Sequence, residues 1–182
     1  MSLRLQMLQI ARVAPKVLGD SADLVRAFFT RQFSPEGGAT DRDGKPDLYY
    51  TIFALAGLQA MQMEKEMEDR KWKMENWLGT LGDGAALDFV HLSALARCWQ
   101  WLDSKTCRRA ARKRCWPGWR RTAPAMVDMM PISVRCAGNA YGCFVALGAY
   151  QDLGHALPEP LRMVQCLKFL EPRMAPGPTR AG

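Results

Sequence analysis

Helical segments of two kinds alternate along this chain. Three are apolar on nearly every side and begin at Asp47, Asp88 and Asn139. Three others keep one polar face and span residues 20–33, 64–81 and 158–170. No segment alternates apolar and polar residues with the period of a β-strand. The pattern predicts an all-α protein in which outer helices cover inner helices that are apolar all round.

The three apolar helices align with one another. Asp or Asn precedes each of them, and Tyr49 and Leu55 of the first match Tyr141 and Leu147 of the third. Their starting points are spaced 41 and 51 residues apart. A period in this range indicates stacked helical repeats. We therefore expect repeated helical hairpins, each with a Gly-rich loop before its inner helix.

The length of 182 residues suits a single domain of this kind. We predict one repeat domain over residues 20–170, preceded by an N-terminal lead at 1–19. An irregular basic insertion at 105–138 interrupts the repeats, and an irregular tail follows at 171–182.

The net charge of +7 comes from one window. Lys105–Arg121 holds eight Lys and Arg residues and no acid, so the rest of the chain is close to neutral. Cations interleaved with Trp are typical of segments that bind single-stranded nucleic acid. Arg, Pro, Cys and Trp are also enriched when a GC-rich gene is translated out of frame. When residues 108–136 and 171–182 are back-translated and read in a shifted frame, one allowed reading contains the helix and Gly-rich loop that the repeat pattern lacks there. On this interpretation the basic window is an artefact of translation, so we do not expect a nucleic-acid partner.

The compartment is indicated by what the sequence lacks. No run of 18 apolar residues occurs, so no membrane-spanning helix is expected. The N-terminal residues do not form a secretory signal, and no two of the six cysteines have C-x-x-C spacing. We expect reduced cysteines, mostly in the core, and a cytoplasmic protein.

Two stretches carry a resemblance to a known family. Ser34-Pro-Glu-Gly-Gly is followed by Asp43-Gly-Lys-Pro-Asp-Leu-Tyr-Tyr-Thr-Ile-Phe-Ala-Leu, and a related helix reads Asn139-Ala-Tyr-Gly-Cys-Phe-Val-Ala-Leu. These resemble the repeats of protein prenyltransferase β subunits and terpenoid (squalene) cyclases, over roughly 18–104 and 138–170. The resemblance implies an α/α toroid around an aromatic-lined isoprenoid cavity. The predicted helices are too few to close such a ring, so we expect an incomplete one.

The family's prenyltransferases hold Zn²⁺ with Asp, Cys and His to activate a thiol. Only Cys143 matches this set, because Tyr141 stands in place of the Asp and Tyr50 in place of the His. Tyrosine is a poor zinc ligand, so zinc is the family expectation but no metal site is predicted in this chain. Asp88 and His91 lie three residues apart on one helix face. They are either a metal or acid/base pair or, as we favour, a helix cap and a hydrogen-bonded histidine.

No catalytic residue is assigned. The candidate cavity-lining residues are Asp47, Tyr49, Tyr50, Asp88, His91, Tyr141 and Cys143.

The resemblance implies a prenyltransferase-like protein whose family activity is isoprenoid transfer to a thiol, inactive or partial in this chain. Its partners would be an isoprenoid-type ligand, if it is active, and a second subunit or another copy bound through exposed inner-helix faces. The alternative is a non-catalytic helical-repeat module for protein interaction.

Overall fold

The computed structural model describes residues 3–102, 140–158 and 160–170. The helices in these ranges are α1 (Leu3–Ala11), α2 (Ala14–Leu18), α3 (Ala22–Arg31), α4 (Leu48–Ala60), α5 (Glu64–Thr80), α6 (Phe89–Trp101), α7 (Ala140–Leu153) and α8 (Pro160–Leu170). No β-strand occurs in them, and the loop before α4 contains two isolated β-bridges. The prediction of an all-α fold is confirmed for the described residues. The basic window Lys105–Arg121, the rest of the insertion and the tail at 171–182 lie outside the described residues.

The N-terminal lead is helical. Residues 3–18 form α1 and α2, and a 3₁₀ turn at Gly19–Ser21 leads into α3. Pro15 lies in the first turn of α2, where its missing N–H costs no hydrogen bond. The helix predicted over 20–33 is shorter than expected, and Ser21 makes no side-chain capping bond.

Three apolar helices form a row at the centre of the described structure. α6 packs between α4 and α7, while α5 packs on α4 and α6, and α8 packs on α7. The shared core contains Leu48, Ile52 and Leu55 of α4, Met74 and Leu78 of α5, Leu92 and Leu95 of α6, and Ala149 and Leu153 of α7. The helices that are apolar all round are therefore the central ones, as the sequence pattern predicts.

Helix caps are where the sequence places them in α4 and α6. Asp47 Oδ1 accepts a 2.9 Å hydrogen bond from the Tyr50 N–H, and Asp88 Oδ1 accepts one of 2.9 Å from the His91 N–H. Each bond satisfies one of the backbone donors left open at a helix start. The caps fix the first turns of two neighbouring inner helices.

The Gly-Gly loop before α4 packs flush against α5. Gly37 has φ +119°, and a Cβ there would lie 2.6 Å from the Lys73 carbonyl carbon. A Cβ on Gly38 would lie 2.7 Å from the Trp77 ring. Only glycine combines the backbone angle of Gly37 with this approach, so the Gly-Gly pair has a packing cause.

No described helix is both long enough and apolar enough to span a bilayer.

Candidate functional site

Two helix caps meet on one histidine. His91 Nδ1 lies 2.8 Å from Asp88 Oδ2, and His91 Nε2 lies 3.1 Å from Asp47 Oδ2. His91 therefore joins the N-terminal ends of α4 and α6, and we call these three residues the histidine clamp. The sequence indicated the Asp88–His91 pair but missed Asp47 as the second partner. Asp47 and Asp88 hold the same cap position in two neighbouring helices, and this correspondence is the signal that could have identified Asp47 as the second partner.

The carboxylates change the titration of the clamp. Burial lowers the pKa of His91, but the hydrogen bonds to Asp88 and Asp47 and their charges outweigh it, so the pKa is raised. Burial raises the pKa of Asp88, but the His91 backbone N–H and imidazole outweigh it, so that pKa is lowered. Both shifts favour an imidazolium held between two carboxylates.

The clamp does not have the geometry of a metal site. Each ring nitrogen of His91 already faces a carboxylate oxygen, and the two nitrogens point in different directions. Among the described residues, no group of three His, Cys, Asp or Glu side chains is placed to hold a metal ion. The clamp therefore ties two helix ends together, which agrees with the interpretation of Asp88 as a cap and of His91 as a hydrogen-bonded histidine.

Beside the clamp, α4 and α7 present a connected set of aromatic side chains. The Tyr49 ring contacts Phe53 edge-on at 5.0 Å and Tyr50 at 6.3 Å between centroids. Tyr49 also hydrogen-bonds to Tyr141 of α7. Phe144 follows Tyr141 on the same side of α7, one helical turn further on. We call these five residues the aromatic strip.

The side chains of the strip are large and mostly apolar, yet they are exposed to solvent. Tyr50, Phe53, Tyr141 and Phe144 are 40, 56, 50 and 52% exposed, respectively. The opposite side of α4 is buried against α5 in the shared core. Large apolar surfaces of this kind on a folded chain mark binding sites.

Tyr141 gives the strip a hydroxyl group, and the Arg97 guanidinium of α6 lies near it. Burial raises the pKa of Tyr141, the hydrogen bond and charge of Tyr49 raise it further, and the nearby Arg97 guanidinium lowers it. Arg97 is held by Asp152 of α7, with Nε 3.3 Å from Oδ2. The phenol therefore stays protonated at neutral pH, and its oxygen can accept a hydrogen bond from a ligand.

The structure places Cys143 away from the other candidates. It lies about 200° around the α7 axis from Tyr141, so its side chain points to the opposite side of the helix. There it is 1% exposed and packs with Cys166 and Met163 of α8. Cys143 therefore does not line the surface that carries the clamp and the strip, because the rotation of α7 turns it towards the outer helix.

A separate groove of about 200 Å³ lies between α4, α5 and α6. Its lining is mixed, with charged residues of α5 beside apolar ones such as Leu55 and Met74, and none of the seven candidate residues contributes to it. It is smaller than the cavities of roughly 300–1,000 Å³ that enclose most small-molecule ligands. The groove therefore does not compete with the strip as the candidate site.

No protein-family model, curated protein or solved structure matches this chain.

Proposed function

We propose that this chain is a prenyltransferase-β-like helical-repeat protein, a partial α/α toroid that binds an isoprenoid-type chain along its aromatic strip. The observation that carries the proposal is the exposure of Phe53 and Phe144, large apolar rings on two inner helices joined through Tyr49 and Tyr141. In this proposal the inner helices α4, α6 and α7 line the ligand surface, and α5 and α8 form the outer layer.

The strip suits a long apolar ligand with one polar end. Ring faces and edges give dispersion contacts along an alkene chain and replace the water that covers them in the free protein. The Tyr141 hydroxyl and the nearby Arg97 guanidinium, which is paired with Asp152, supply polar groups beside the strip. These are the groups that an anionic or hydroxylated end of the ligand would contact.

Binding without thiol transfer is the activity that these residues support. Zinc would need an Asp, Cys and His set on the ligand surface, but Cys143 points to α8 and both His91 nitrogens face carboxylates. The described residues do not fit the metal, and we derive no step through it. The buried thiols Cys98, Cys143 and Cys166 suit a reducing compartment, and we place the protein in the cytoplasm.

Calorimetric titration with farnesyl diphosphate tests the proposal. We expect saturable binding that Phe53→Ala and Phe144→Ala each weaken about tenfold, since each removes a large apolar contact. Trp72→Ala is the matched control, because Trp72 is an equally exposed aromatic residue on α5, outside the strip. Unsaturable binding, or equal losses in all three variants, would exclude the strip as the ligand site.

The alternative is a non-catalytic interaction module that uses the same strip. Exposed Tyr and Phe side chains with a nearby Arg also form the centres of protein interfaces. In that case a second subunit or another copy would cover the strip. Sedimentation velocity distinguishes the two functions: the alternative predicts self-association that Phe53→Asp abolishes, together with no response to the isoprenoid.

A further inference from the structure

A second exposed apolar surface lies on α1 and α2, near the N-terminal end of the described residues. Met7, Ile10, Val13 and Val17 are 58, 73, 56 and 78% exposed. They are spaced three, three and four residues apart, which keeps apolar residues on one side of a helical path. We call these four residues the N-terminal stripe, and neither the clamp nor the strip uses them.

The helices that carry the stripe are docked on the rest of the protein. Leu8, on another side of α1, is buried, and α1 packs against α4. Arg12 Nη2 lies 2.8 Å from Glu64 Oε1, and Gln62 Nε2 donates a 2.8 Å hydrogen bond to the Arg12 carbonyl. The stripe therefore faces solvent because the opposite side of the segment is anchored.

The segment that carries the stripe is basic in sequence, and Lys16 is exposed beside the stripe while Arg12 is paired with Glu64. Residues 1–19 contain Arg4, Arg12 and Lys16, and the first acidic residue of the chain is Asp20. An apolar stripe with Lys and Arg beside it is the pattern of helices that lie in the plane of a membrane interface. Pairing with a second copy would bring no acidic residue of this segment to Lys16, so the basic excess of residues 1–19 favours an anionic partner over self-pairing.

We propose that the N-terminal stripe binds the surface of an anionic lipid bilayer. Met7, Ile10, Val13 and Val17 enter the boundary between headgroups and acyl chains, and Lys16 contacts the anionic headgroups. The protein would then be attached to the membrane surface by α1 and α2, with no segment crossing it. This inference does not depend on what the aromatic strip binds.

Co-sedimentation of the full chain with vesicles tests the proposal. We expect binding to phosphatidylcholine vesicles that contain phosphatidylserine and much weaker binding to phosphatidylcholine alone. Ile10→Ser with Val17→Ser should lower the partition coefficient about tenfold or more, since two apolar contacts are lost. Lys16→Glu should lower it severalfold and make the remaining binding less sensitive to salt.

The matched control is the double variant Leu161→Ser, Val164→Ser. These residues form an exposed apolar pair on α8 and should leave the partition coefficient unchanged. Every substituted side chain is exposed or half-exposed, and an unchanged circular dichroism melt verifies folding for each variant. The proposal fails if the chain ignores both vesicles, binds both equally, or loses as much binding in the α8 variant. It also fails if the stripe variant changes only self-association, which would assign the stripe to a protein interface.

Discussion

At the scale of single residues, His91 has an unusual position for an imidazole on a helix. Both of its nitrogens face aspartates that also cap helices, so one imidazole ring connects the N-terminal ends of α4 and α6. Its contribution to stability must depend on its charge, because an imidazolium donates to both carboxylates whereas a neutral ring donates to one.

This dependence gives a pH prediction. The folded pKa of His91 is raised, so its stabilising effect is complete below the unfolded pKa of about 6.5 and is lost as pH rises through the folded pKa. The lowered pKa of Asp88 has the opposite sign: its contribution is lost as pH falls through that lowered value. We expect the melting temperatures of wild type and His91→Gln to differ most at about pH 5.5 and to converge at alkaline pH.

Histidine NMR titration provides the control for this prediction. Asp88→Asn removes one carboxylate and should lower the pKa of His91, with the second histidine, His155, assigned through its own variant. A melting difference between wild type and His91→Gln that is constant from acid to alkaline pH would contradict the charged clamp.

At the scale of elements, the loop before α4 is fixed by contact with α5. Gly37 and Gly38 bring the loop backbone against α5, at distances that leave no room for a side chain. Gly37 and Gly38 therefore serve the packing of the loop on α5, and they make no contact with the aromatic strip.

Gly37→Ala should destabilise the chain strongly, by about 3 kcal/mol, because it adds both a strained φ and a backbone clash. Gly44→Ala is the matched control. Gly44 also has positive φ, at +78°, but nothing lies within 4 Å of its Cβ position, so about 1 kcal/mol is expected. Urea unfolding measures both variants, and equal losses would show that strain alone, without the clash, determines the cost.

At the scale of the whole molecule, a buried ion pair joins two of the inner helices. Arg97 of α6 and Asp152 of α7 are 17% and 1% exposed at their side chains. A Cβ on Gly148 would lie 3.3 Å from Arg97 Nη2, so this glycine makes room for the guanidinium. The position of the Arg97 guanidinium beside Tyr141 therefore depends on how α6 packs on α7.

Asp152→Ala should cost about 3 kcal/mol, because it leaves a largely buried guanidinium without its carboxylate. The double variant Arg97→Met, Asp152→Leu should recover much of this loss, since no uncompensated charge remains. Thermal unfolding of wild type, Arg97→Met, Asp152→Leu and the double variant completes a double-mutant cycle. Additive losses would mean that the two side chains do not interact.

The features that could be predicted from the sequence are those that depend on residues close together in the chain. The apolar period predicts α4, α5 and α6 to within a few residues, and Asp47 and Asp88 cap as expected, because periodicity and capping depend on neighbours within one or two turns. The lead at 1–19 was missed as helix, because Pro15 and the short length of α2 obscure the pattern.

The candidate site depended on the tertiary structure. Asp47, Asp88 and His91 were each selected from the sequence, but only the packing of α4 on α6 makes them one clamp. Tyr141 and Cys143 are two residues apart, yet one faces the strip and the other faces α8. The sequence alone determined that the central segments are helical and where α4 and α6 begin. The rotation of each helix about its axis was decided by packing between helices, and that rotation selects the side chains that share a surface.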